Sequence, residues 1–239
     1  MTETIRLLSG GAAQGLVQQL QDRFLAESGC RMEGTFSAVG SMRDKLLAGE
    51  PCDLVILTQA VVDQLIGSGH LIADSQTPLG VVHTGIAVKA GDRAPDVSTA
   101  AALKAALSAA RGIYIPDQLK ATAGIHFMNV LLELGIAHAV AERLRPFPNG
   151  ATAMREMSQA GEGGLIGCTQ VTEILYTPGV QLAGLLPPEF ELATVYTAAV
   201  CSTAREPQAA ADLIRLLAGA DAAAIRSAGG FEPVKPAAR

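Results

Sequence analysis

From residue 4 onward the chain switches between two hydrophobic rhythms. TIRLLS and CDLVILT are short apolar runs, whereas Leu16, Leu20 and Phe24 recur at i, i+4 and i+8, the spacing of one helix face. The first half therefore reads as strand TIRLLS, a helix ending near Gly29, strand RMEGTFSA, a helix through MRDKLLAG, strand CDLVILT and helix QAVVDQLIGSG. CDLVILT is apolar almost throughout, as expected of a strand covered on both faces. Repeated β-α units of this length imply parallel strands joined by right-handed crossovers.

After TGIAVKAG the series restarts with helix STAAALKAALSAARG, strand IYIP and helix TAGIHFMNVLLELG. RPFPNG is a short extended stretch between prolines, followed by helix ATAMREMSQAG, strand GGLIG and a short helix around TQVTEIL. TVYTAAVCS and the alanine-rich helices after Pro207 have no further sheet to complete and are expected to return to the first lobe. The expectation is an α/β protein of two lobes, 1–82 plus 195–239 and 83–194, each a mostly parallel sheet flanked by helices. In such a protein the turns at the carboxyl ends of the strands face a ligand cleft between the lobes.

Composition narrows the class. The chain has 239 residues, 49% hydrophobic and only 4% aromatic, with no Trp, so its core is aliphatic and large enough for one big domain or two small ones. A net charge of -5 with both signs scattered offers no basic stripe for a phosphate backbone, and nucleic acid is excluded as a partner. The four cysteines, Cys30, Cys52, Cys168 and Cys201, lack metal-ligand spacing and read as buried free thiols; no metal and no cofactor are expected. MTETIRLLSGG reaches the first strand without a long apolar leader and no run of membrane-spanning length follows, so no membrane insertion is expected. The expected location is cytoplasmic, or periplasmic where a signal peptide has been removed.

Five turns then stand out. Ser9-Gly10-Gly11-Ala12 leads from strand to helix, where unpaired amides carry about half a positive charge and glycine admits a ligand to the backbone. It is neither a P-loop nor a dinucleotide fingerprint, because Leu16 and Val17 follow Gly15 and the GxGxxG spacing fails. Ser37-Ala38-Val39-Gly40-Ser41 repeats the grammar, as do Lys120 to Gly124, Asn149-Gly150-Ala151-Thr152 and Gly167-Cys168-Thr169-Gln170. Ser, Thr and Asn at helix starts are ordinary caps, so the signal lies in five such turns at strand ends.

These residues carry a resemblance. SGG, TFSAVGSM, GEPCDLVIL, TGIAVKAG, ATAGIHFMNVLLELGIA, GEGGLIG with TQVTEI, PGVQLAGLLP and a final GGFEP together resemble, over nearly the whole chain, type II periplasmic binding proteins of the molybdate-binding-protein-like branch, which also includes aconitate isomerase. The resemblance implies a two-lobe fold closing on a small oxyanion or organic acid. It implies ligand contacts at Ser9, Gly10 and Gly11 with Ser37 or Ser41 in the first lobe, and at Thr122, Gly124, Asn149 and Thr169 or Gln170 in the second. Where many molybdate binders carry a tyrosine, Cys168 and Thr169 stand here, which turns the expected ligand from a tetrahedral oxyanion toward a carboxylate. An ABC permease is an expected partner only if the protein is exported.

The branch also leaves an enzyme open, an isomerase or tautomerase of an unsaturated di- or tricarboxylic acid, which needs a base, a conjugate acid and anion clamps. His126, two residues after Gly124, is the first candidate; Glu173, after TQVT, is the second; Lys120 precedes the same turn as His126 and can steer a carboxylate. Each also has a plain role, as half-buried helix residue, cap or solvated loop lysine. His83, in VVHTGIAV, is a ligand contact or a hinge residue, and His70 and His138 sit at helix ends. Cys168 as a nucleophile would need a neighbouring base, and no Ser-His-Asp set is legible.

Overall fold

The computed structural model describes residues 3–234 and divides the chain into two compact units, one formed by the chain up to Val82 and from Thr194 onward, the other by His83–Ala193. In chain order the first unit holds β1 (Thr4–Gly10), α1 (Gln14–Ser28), β2 (Arg31–Ser37), α2 (Val39–Leu47), β3 (Leu54–Thr58) and α3 (Gln59–Gly67). β4 (Thr77–Lys89) carries the chain into the second unit. There follow α4 (Ala100–Ala109), β5 (Gly112–Pro116), α5 (Thr122–Glu133), α6 (Ala137–Val140), β6 (Leu144–Phe147), α7 (Gly150–Gln159), β7 (Leu165–Gln170), α8 (Val171–Tyr176) and β8 (Val180–Leu185). β9 (Ala193–Val200), α9 (Pro207–Ala218) and α10 (Ala223–Ala228) return to the first unit.

In the first unit the strands run β2-β1-β3-β9. β1 is parallel to β2 and β3, with Leu7 opposite Leu54, and β9 is antiparallel to β3, with Val200 opposite Leu54. All five residues of β3 are buried, the both-faces coverage expected of its continuous apolar run. Leu20 and Phe24 of α1 and Leu213 and Leu217 of α9 share one core with Leu7, Leu54 and Ile56. The i, i+4 spacing of those helix residues makes this contact. α1 ends at Gly29, whose φ of 71° is the left-handed cap that glycine takes without strain.

In the second unit β5 lies between β6 and β7, parallel to both, and β4 is antiparallel to β7 and to β8. Alternation along β5 sorts its side chains between two cores. Ile113 and Ile115 pack with Leu103, Leu107, Phe127 and Val130, while Tyr114 packs with Met154, Met157 and Leu165 on the other face.

Some expectations about elements are corrected. α2 begins at Val39 instead of Met42, so Gly40 and Ser41 lie inside a helix and the turn between strand and helix is confined to Ala38. β7 runs through Thr169 and Gln170, which the hydropathy pattern assigned to the following helix. β4 starts at Thr77, well before TGIAVKAG, and β8 was not foreseen as a strand. No single helix among the described residues is long and apolar enough to cross a membrane.

Candidate functional site

In the first unit, parallel pairing of β1 with β2 brings two of the expected turns together. The register sets Ser37 opposite Gly10 and Phe36 opposite Ser9, so both chains leave the sheet side by side at its carboxyl edge. The chain leaving Gly10 enters a short 3-10 turn, Gly11–Ala13, whose start has no side-chain cap, and α2 starts after Ala38, also without one. Their first amides are therefore left to other acceptors. Ser9 is fully buried and its Oγ donates to the carbonyl of Gly10 at 2.8 Å. A Cβ on Gly10 would lie 3.0 Å from side-chain atoms of both Tyr196 and Val39, so any larger residue here requires those two side chains to give way. Ser41, the third residue of α2, is half-buried.

In the second unit β5 ends at Pro116, and Asp117 turns the chain by accepting from the amides of Leu119 (2.7 Å) and Lys120 (2.9 Å). Lys120 is exposed. α5 then begins at Thr122, with Ala121 at its cap position offering no side chain to its amides. A Cβ on Gly124 would collide with the carbonyl oxygen of Asp117 and lie 2.6 Å from that of Pro116. Glycine is thus demanded here by backbone meeting backbone, which accounts for Gly124 without a ligand.

The start of α7 is served from within. The Asn149 side chain accepts from the Thr152 amide at 2.8 Å, and the Glu173 carboxyl accepts from the Ala151 amide at 3.2 Å and from the Thr169 hydroxyl at 2.5 Å. A Cβ on Gly150 would strike both Thr169 and Glu173. Burial pushes the Glu173 carboxyl above the ordinary glutamate range, opposed by the hydrogen bonds from Thr169 and from the amides of Ala151, Gly150 and Gln170. Asn149, Thr169 and Glu173 are therefore joined in one internal cluster around the α7 terminus. Two of the expected ligand contacts and one of the two acid/base candidates share it.

The other candidates are placed as follows. His126 lies on α5, half-buried, with Nε2 2.8 Å from the carbonyl oxygen of Phe190. A carbonyl only accepts, so Nε2 is the donor in this contact. His83 Nδ1 lies 3.0 Å from a Glu191 carboxylate oxygen. Cys168 is buried completely, and desolvation drives its thiol far above the usual range, so it stays protonated and unreactive. No group of three or more His, Cys, Asp or Glu among the described residues could hold a metal ion.

One set of buried polar side chains escaped the reading of strand-end turns. Thr84 of β4 pairs in register with Gln170 of β7, and Thr172 follows two residues on. All three side chains are buried, at 1%, 3% and 4% exposure, and neither their hydroxyls nor either end of the Gln170 amide makes a hydrogen bond with the described residues. The available signal was a polar residue inside an apolar run, Thr84 in VVHTGIAV. Such a residue is costly unless something receives its hydroxyl.

Against known proteins, residues 5–232 match the family of bacterial extracellular solute-binding proteins. An aconitate isomerase from Pseudomonas sp is 28% identical over 242 residues, spanning 97% of this chain and 88% of that one. Among solved structures, the periplasmic molybdate-binding protein of Azotobacter vinelandii superposes with a TM-score of 0.79 at 18% identity, covering 97% of this chain and 99% of that one. The sulfate-binding protein SubI from Mycobacterium tuberculosis H37Rv gives 0.74 at 18% identity, covering 98% of this chain and 88% of the other. These likenesses establish a shared two-lobe fold.

Proposed function

The chain belongs to the family of bacterial extracellular solute-binding proteins, and from that premise we propose that it binds a small anionic metabolite, a carboxylate in preference to a tetrahedral oxyanion. The candidate groups are, in the first unit taken by itself, the hydroxyls and amides of Ser9, Gly10, Gly11, Ser37 and Ser41, and, in the second taken by itself, the amides of Thr122 to Gly124 with the Gln170 side chain. The observation that carries this reading is the uncapped start of α5 at Ala121, on the sheet face that also bears the buried and unpartnered Gln170 amide. Helix-start amides and a neutral amide receive negative charge without Lys or Arg. The preference for carboxylate is supported by Cys168 and Thr169 standing where many molybdate binders have tyrosine, and by the aconitate isomerase relative.

A thermal-shift panel of molybdate, tungstate, sulfate and di- and tricarboxylic acids tests it, since a ligand bound by the native state alone raises apparent stability. Carboxylic acids are expected to raise the melting temperature. A shift with molybdate or tungstate alone overturns the preference.

A second reading is favoured by the 28% identity to an aconitate isomerase: proton transfer on an unsaturated di- or tricarboxylic acid. His126, through Nδ1, is the base in that reading, and Glu173, whose neutral form is favoured by burial, is the acid. Incubation with cis- or trans-aconitate in heavy water separates the two, with NMR reporting deuterium uptake. Exchange supports the isomerase, and tight binding without exchange supports the binding protein.

A further inference from the structure

Ile166 and Cys168 of β7 share a core with Phe127 and Val130 of α5, and side chains two apart on a strand share a face. Gln170 therefore lies on the α5 face, at the carboxyl end of β7, with Thr84 opposite it in register. Facing residues of an antiparallel pair hold their Cβ atoms about 4.5 to 5.5 Å apart. The side chains of Thr84, Gln170 and Thr172 nonetheless make no hydrogen bond to one another or to any other described residue. Rotating a hydroxyl does not relieve this, because no described residue offers a partner to any of these side-chain atoms.

The chemistry of what would satisfy these groups is specific. Whichever way the Gln170 amide is turned, it presents one oxygen acceptor and one NH2 donor. A fully deprotonated anion satisfies the donor and has no proton for the acceptor. A ligand that brings a proton to this already buried, unmet acceptor gains about tenfold or more in affinity over one that does not. Resting on the anion-binding reading above, we infer that Thr84 and Gln170 form a neutral specificity subsite for a hydroxyl carried by the ligand, making the ligand class hydroxycarboxylates. The ligand hydroxyl donates to the Gln170 oxygen and accepts from Thr84, while the amide nitrogen donates to the adjoining carboxylate.

Calorimetric titration of the full chain with two acid pairs that each differ by one hydroxyl, citrate against tricarballylate and malate against succinate, tests the subsite. The hydroxylated member of at least one pair is expected to bind at least about tenfold tighter. In Gln170→Met, which keeps volume and removes both polar ends, that ratio is expected to fall to near one. Without ligand, the same variant is expected to melt about 2 to 4 °C higher, because an unpaired buried amide has been removed. Equal affinities within both pairs, or a ratio retained in Gln170→Met, overturn the subsite and leave the carboxylate reading standing. A variant that melts lower marks the pair as a structural feature bridged by water and overturns the subsite too. Failure of the wild type to bind any of the four acids overturns both readings.

Discussion

Glu173 is a buried carboxyl whose environment pulls in two directions: desolvation favours the neutral acid, and the Thr169 hydroxyl with the amides of Ala151, Gly150 and Gln170 favours the anion. Desolvation wins, so the folded state binds its proton more tightly than the unfolded chain does. The stability this contributes is fully present below about pH 4.5, the ordinary value, and is lost as pH rises through the higher folded-state value. Glu173→Gln, which keeps an acceptor for Ala151 and Thr169, is expected to remove that fall, so its denaturant stability relative to wild type improves as pH rises; parallel curves for the two proteins would refute this. Gly124→Ala is expected to cost about 1 to 3 kcal/mol in urea unfolding, because the new methyl meets the backbone oxygens of Pro116 and Asp117. Little of this was legible beforehand. Gly124 and Asn149 sit in turns whose sequence states which amides are exposed locally, while the Asp117 carbonyl against Gly124, and Glu173 beside the α7 start, arrive through tertiary packing.

Elements with strong periodicity were legible and those without it were not. The β3 run LVILT and the Leu16, Leu20, Phe24 stripe of α1 each have one structural solution, and both appear as expected. β8 was hidden because its burial does not alternate cleanly and Gly184 interrupts it. β9 lies antiparallel to β3, a direction that a strand sequence does not encode. Helix starts carry a prediction of their own. Ala121 stands at the α5 cap position with extended backbone angles and no side-chain acceptor. Ala121→Ser is expected to raise ligand-free stability by about 0.5 to 2 kcal/mol, as a good cap does. It is also expected to weaken carboxylate binding, since the new hydroxyl takes an amide the ligand would use. Calorimetry showing unchanged affinity in a stabilised Ala121→Ser would remove α5 from the binding machinery.

At the scale of the molecule, each unit carries a core of its own, the first around Leu54, Ile56 and Leu213 and the second around Ile113 and Phe127. Leu54→Ala, at a fully buried strand position, is expected to cost about 2 to 5 kcal/mol. Hydrogen exchange read by mass spectrometry is expected to show lost protection in β1, β3 and β9 with β5 and α5 still protected; equal loss in both units would mean they open as one. The two-lobe α/β class was legible because β-α alternation occurs twice along the chain. In the sequence the proposed ligand is defined by charge sign alone, since amides at strand ends report charge better than shape.

The pairing of β9 with β3 also sets a schedule for synthesis. Leu54 has to wait for Val200 before its strand gains that neighbour, whereas every residue of His83–Ala193 has already been made by then. On the ribosome the inserted segment can finish folding while the earlier one still shows an unpaired apolar edge, the kind of edge that invites aggregation. Nascent chains halted before residue 193 are thus the ones expected to need a chaperone's cover.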